Sequence, residues 1–130
     1  VFPYLGAIMR RYGKVYYGCC EPVDPILDCL EEVPNLARVS VSPWANEEKV
    51  GVFCRERGIV YSRKPSPNFH SGPSFDEPGL RLHLEKTVAA ARGCRLEFIQ
   101  RDVYTTNNQP ERLIRWVELA RAAGAQHRNE

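Results

Sequence analysis

The chain has 130 residues, a mass of 14.8 kDa and 18 basic against 16 acidic side chains, net +2, which fits one domain over residues 1–130. Its charges are dispersed rather than blocked, so no nucleic-acid footprint is visible, and no apolar run approaches the roughly 18 residues of a spanning helix. Five cysteines, an odd number, fall on strand-like and helix-like segments alike, which excludes a secreted disulfide framework and predicts reduced thiols in a soluble, cytoplasmic protein.

Residues 1–13 place Leu5, Ile8, Met9 and Tyr12 at helical spacing and end on a glycine. Because this stretch opens on valine rather than methionine, we expect further chain upstream. Residues 14–20 form the first strand. Gly18 and Pro22 interrupt it and leave Cys19, Cys20 and Glu21 at the turn into the next element. Asp24-Pro25 then supplies an N-cap and a first-turn proline for a helix with Ile26, Leu27, Leu30 and Val33 on its apolar face. Residues 37–42 alternate Val39 and Val41 with Ser40 and Ser42, the pattern of a second strand.

After Pro43-Trp44-Ala45, Asn46 caps a helix whose buried stripe is Val50, Phe53 and Cys54, closed by Gly58. Residues 59–62 make a third strand that runs into Arg63-Lys64, and a long polar loop follows to Pro73 with Asn68 and His70 in it. Asp76 starts a helix with Leu80, Leu84, Val88 and Ala91 on one side, ending at Arg92-Gly93. Residues 94–103 read as a fourth strand. Pro110 opens a last helix with Leu113, Val117, Ala120 and Ala123 inward, and residues 124–130 read as a frayed tail.

A helix followed by four strand-plus-helix units implies α/β architecture with parallel strands. Four such units make half of an eightfold barrel with two exposed sheet edges; the competing solution is an open sheet with helices on both faces. In either fold, sites form at the carboxyl ends of strands. That draws attention to Cys19, Cys20 and Glu21 after the first strand, and to Ser42 and Trp44 after the second. Arg63 and Lys64 follow the third, and Arg101 and Asp102 end the fourth. Thiols with a carboxylate suit a metal, though a buried cysteine and a solvated glutamate would look the same. Arg63 and Lys64 suit a carboxylate or phosphate, or simply a solvated surface. Trp44 is either a stacking wall or a seal, and Asp102 either a catalytic carboxylate or the partner of Arg101. No phosphate-binding glycine motif is present, and His70, His83 and His127 lack the spacing of a ligand pair.

Five stretches, taken in order, resemble the uroporphyrinogen decarboxylase-like superfamily: Gly18-Cys19-Cys20-Glu21-Pro22, Val33-Pro34-Asn35-Leu36, Ser40-Val41-Ser42-Pro43-Trp44-Ala45, Ser62-Arg63-Lys64-Pro65, and Arg101-Asp102 with Pro110-Glu111-Arg112-Leu113. More narrowly, they are similar to its bacterial branch related to cobalamin-dependent methyltransferases. The resemblance implies a (βα)8 TIM-type barrel of which this chain is the C-terminal half. It also implies an enzyme of tetrapyrrole or corrinoid-linked methyl-transfer metabolism, acting either as a methyltransferase or as a lyase that decarboxylates a tetrapyrrole. A zinc-held substrate thiolate would then rest on Cys19 or Cys20 with Glu21, and catalysis on Glu21 and Asp102. Arg63, Lys64, Trp44 and Ser42 would take the small-molecule substrate. The implied partner is a corrinoid protein. The alternative of another class is a non-catalytic half-barrel that binds a ligand or whose two exposed edges pair with a second copy or with the missing N-terminal half. Where the methyltransferase branch has a histidine ahead of its first thiolate, this chain has Tyr16 and Tyr17, and its last strand carries Asp102 in place of a cysteine.

Overall fold

The computed structural model describes residues 2–18 and 20–129. Helix α1 (Phe2–Met9) leads into β1 (Val15–Tyr17), and a 3-10 turn (Asp24–Ile26) runs into α2 (Leu27–Glu31). Then come β2 (Leu36–Val41), α3 (Glu47–Arg57), β3 (Val60–Arg63), a short α4 (Asn68–Ser71), α5 (Glu77–Ala90), β4 (Arg95–Phe98) and α6 (Glu111–Asn129). The strands form one all-parallel sheet in the order β1-β2-β3-β4, as the alternation of elements requires. Among the described residues, no helix is long and apolar enough to cross a membrane.

Register decides which side chains share a face. Val39 is level with Tyr61 and Leu96, and Val41 with Arg63 and Phe98. This face carries the core. On it Leu27 and Leu30 of α2 and Val50, Phe53 and Cys54 of α3 pack with Val39, Val41 and Tyr61, while Leu80, Leu84 and Val88 of α5 and Trp116 and Leu119 of α6 pack with Leu96 and Phe98. On the other face Tyr16 is level with Arg38, and Ser40 with Ser62 and Glu97. So α2, α3, α5 and α6 lie on one side of the sheet, which sets aside the open sheet with helices on both faces.

Charges follow the helix ends. Glu47 and Glu48, Glu77, and Glu111 occupy the first turns of α3, α5 and α6, where the helix dipole favours an anion. At the opposite end, arginines donate to carbonyls at the close of neighbouring elements: Arg57 Nη2 to Val33 O at 3.1 Å, Arg55 Nη1 to Arg92 O at 2.7 Å, and Arg95 Nη2 to Gly58 O. Caps behave as expected at Asn46, which accepts from Lys49 N, and at Asp76, which accepts from Gly79 N.

Several boundaries differ from the reading of the sequence. Asp24 caps no helix; its side chain accepts from Asn46 N at 3.0 Å instead. The fourth strand stops at Phe98, and the backbone turns with Asp102 at φ 49° and Asn107 and Asn108 at φ 52° and 58°. The expected frayed tail is helical to Asn129, with His127 Nε2 2.8 Å from Cys94 O. The polar loop after β3 contains α4 and is pinned by Arg112, which donates to the carbonyls of His70, Gly72 and Pro73 at 3.1, 2.7 and 2.9 Å.

Helices α3 and α5 meet at Gly51, where a methyl group would strike the Ala90 carbonyl. Gly51→Ala is therefore expected to force these helices apart and destabilise the fold by about 1–3 kcal/mol. Urea midpoints at unchanged slope measure the loss.

Candidate functional site

The strands carry polar groups to two places. The first lies between sheet and helices. Alternation turns Tyr61 and Arg63 towards the covered face, and Arg63 ends 1% exposed. Its Nη2 donates to Glu47 Oε1 at 3.0 Å and its Nη1 to Ser42 O at 2.5 Å. Glu47 Oε2 accepts from Thr87 Oγ1 at 2.6 Å and from Tyr61 O–H at 3.3 Å, so both carboxylate oxygens are engaged. Burial first, and then Glu47, drive the Tyr61 phenol far above its ordinary pKa.

His83 completes this network, its Nε2 lying 2.9 Å from Arg63 Nη2. A guanidinium only donates, so the imidazole accepts and must be neutral. Burial, followed by the Arg63 charge, lowers its pKa to about 4.

The second place is the uncovered face and its rim. Tyr16 O–H and Ser62 Oγ are hydrogen-bonded at 3.0 Å, and Arg38 Nη1 pairs with Glu97 Oε2 at 3.0 Å. The Arg38 guanidinium lies 5.5 Å, and Lys64 Nζ 5.8 Å, from the centre of the Tyr16 ring. Above this carpet the strand ends converge. Arg101, beyond β4, reaches back past β3 to lie 5.8 Å from the Trp44 ring that follows β2. The same guanidinium pairs with Asp102 and touches the thiol of Cys20, beyond β1. Burial opposes the Arg101 cation, but Asp102 and Cys20 outweigh it and hold its pKa above the ordinary value. One nitrogen, Nη1, is buried with no hydrogen-bond partner, as is Oγ of the fully buried Ser42.

Residues picked out from the sequence thus divide. Cys20, Trp44, Arg101 and Asp102 come together at the rim, and Lys64 stands over the open face beside Tyr16. Trp44 is 68% exposed, so it seals nothing. Arg63, expected to grip an anion together with Lys64, instead faces the helices and is spent on Glu47. Ser42 is buried, its carbonyl serving Arg63. Glu21 is exposed in the turn after β1, and Cys19 lies outside the described residues. Among those residues no group of three or more His, Cys, Asp or Glu side chains is placed to hold a metal ion. The neighbour of Cys20 is the Arg101 guanidinium, whose charge disfavours a second cation beside it.

The network around Glu47 was not anticipated. Its signal was nonetheless present: Ile59, Tyr61 and Arg63 share one parity on a strand whose apolar face must be buried, and His83 and Thr87 sit beside the Leu80, Leu84, Val88 stripe at helical spacing. The same holds for His70, which the sequence places in a loop. It is 1% exposed, with Nε2 3.2 Å from the Gln100 amide nitrogen, and burial followed by the Arg112 charge lowers its pKa.

No family model, curated protein or solved structure matches this chain.

His83 makes stability depend on pH. Its folded-state pKa of about 4 lies below the ordinary 6.5, so between these values the unfolded chain binds the proton first. Stability is full above pH 6.5 and falls as pH drops towards 4. In His83→Gln, urea midpoints across that window should vary less steeply, with a residual slope left by His70; an unchanged profile would contradict the neutral acceptor role.

Proposed function

We propose that this chain is a uroporphyrinogen decarboxylase-like domain, four βα units of an eightfold barrel, whose rim binds a carboxylate-bearing tetrapyrrole. The fold supports the barrel part of this reading: helices cover one face of a parallel sheet, and the other face is lined by Tyr16, Arg38, Ser62 and Glu97, as an inner wall would be. The observation that carries the substrate class is Arg101. Its guanidinium lies over the exposed Trp44 ring with one buried nitrogen unpartnered, and Lys64 adds a second cation on the same side of the sheet. A carboxylate suits the Arg101 guanidinium, and a planar macrocycle suits the face of an indole.

In this role Arg101 and Lys64 hold substrate carboxylates, and Trp44 fixes the plane of the ring. Loss of carbon dioxide leaves an electron pair on carbon that must be protonated. Asp102, held by Arg101, and Glu21, exposed in the turn after β1, are the carboxyl groups to which this reading gives the movement of that proton. The second reading is methyl transfer with a corrinoid protein, in which zinc held by Cys19 or Cys20 and Glu21 would supply an activated thiolate. The guanidinium beside Cys20 favours the first reading.

Titration with uroporphyrin, followed by tryptophan fluorescence, tests the proposal. Saturable quenching is expected from the exposed Trp44 and should vanish in Trp44→Phe, since Trp116 is only 5% exposed. Arg101→Ala should weaken binding about tenfold or more, the value of one hydrogen bond to a charged group. Absence of saturable binding, together with stoichiometric zinc that is lost in Cys20→Ser, would transfer the function to methyl transfer.

A further inference from the structure

The turns that lead into β3 and β4 each bring two arginines to the amino ends of the strands. Arg55 and Arg57 close α3, and Arg92 and Arg95 lie between the end of α5 and the first residue of β4. The two turns are laced together by these side chains. Arg55 Nη1 donates to Arg92 O at 2.7 Å, with its methylenes against Gly93, and Arg95 Nη2 donates in the other direction to Gly58 O. Arg57 Nη2 donates to Val33 O at 3.1 Å, and its guanidinium lies 5.5 Å from the centre of the Phe53 ring. Each lacing bond spans 37 positions of chain, so charges that are dispersed in the sequence are gathered by the fold.

Open carbonyls at two helix ends explain why donors stand here, but not why the donors are four charges. Arg55, Arg57 and Arg95 pair with no carboxylate among the described residues, and Glu56, exposed, is the one carboxylate in these turns. Each helix end carries about half a negative charge, so two ends and Glu56 leave about two positive charges unmatched. Glu31 and Glu32, at the close of α2, bound the patch beyond Arg57. Arg128, next to the His127 that meets Cys94 O, continues it on the other side.

We propose that this end of the sheet binds the sugar–phosphate backbone of a nucleic-acid duplex, without regard to base sequence. Every cation of the two turns is an arginine, and a guanidinium fork takes phosphate oxygens two at a time. Arg55, Arg92, Arg95 and Arg128 are exposed, open to an extended polyanion. The apolar residues of the turns, Ile59 and Cys94, are 5 and 9% exposed, so nothing is offered to the interior of a bilayer. No aromatic side chain stands in either turn to stack the bases of a single strand. β3 and β4 are neighbours about 4.8 Å apart, and a duplex carries a charge per about 1.7 Å of axis, so several phosphates face the patch at once. Those charges are already ordered, whereas an acidic peptide must first be ordered to present its own. The patch lies at the opposite end of the strands from Trp44 and Arg101, so it stands apart from the reading of that rim.

Fluorescence anisotropy of a labelled DNA duplex of random sequence, titrated with the protein across a salt series, tests the proposal. The plot of log K against log salt should fall with a slope of about −3 to −4, close to 0.9 for each of four phosphate contacts. Arg92→Gln with Arg95→Gln should weaken binding at low salt about tenfold or more and reduce the slope by about 2, with unchanged circular dichroism. Glu56→Gln, which removes the one carboxylate at an exposed position, should tighten binding and leave the fold alone. Arg81→Gln, 49% exposed on α5, should change neither affinity nor slope. Absence of binding at low salt overturns the proposal, as does an affinity and slope that neither the double substitution nor Glu56→Gln alters. Poly-glutamate that displaces the duplex as well as unlabelled DNA does, at equal charge, also overturns it and assigns the patch to an acidic protein.

Discussion

A guanidinium with 1% exposure must find its counter-charge inside the protein, and Arg63 finds it at Glu47. Taking two ions out of water costs several kcal/mol each, and most of the pair's remaining groups are engaged, the buried Arg63 Nε being the exception. Thr87 and Tyr61 satisfy the carboxylate, while the Ser42 carbonyl and the His83 imidazole take up the guanidinium. Glu47 also stands in the first turn of α3, where the dipole favours negative charge. These contacts tie β3, the end of β2, α3 and α5 to one another. They fix helices on one side of the sheet and leave the other side to polar chemistry.

What the open side offers follows from that division. Its cations are not enclosed. Arg38 and Lys64 stand against the Tyr16 ring, 42% exposed, and Arg101 extends over the exposed Trp44. Arg63 and Lys64 are adjacent in the chain yet belong to opposite sides, one holding the fold and the other facing outward. The convergence of Cys20, Trp44 and Arg101 brings together side chains from the ends of β1, β2 and β4.

Much of the architecture was legible because it rests on local rules. Asn46, Gly58 and Asp76 mark helix ends by short-range hydrogen bonding and backbone conformation, and the Val39/Val41 against Ser40/Ser42 alternation separates the two faces before any partner strand is known. The rim residues Cys20, Trp44, Arg101 and Asp102 were legible too, because strand ends are where parallel folds build sites. What escaped depended on long-range pairing. Glu47 and Thr87 are 40 positions apart and Arg112 and Gly72 40 apart, distances over which no periodicity in the sequence speaks. The His127 contact with Cys94, which keeps the tail helical, is of the same kind. The side taken by Arg63 was the exception: strand parity indicated it, and the neighbouring Lys64 obscured it.

The most direct measurement is native-state hydrogen exchange on Glu47→Gln beside the unaltered chain. If the Arg63–Glu47 pair anchors the helices to the sheet, protection should fall together across β2, β3 and α5, by an amount of about 3–5 kcal/mol for a broken buried pair. Protection lost only in the first turn of α3, with β3 and α5 unchanged, would show that the helices hold that face of the sheet without it.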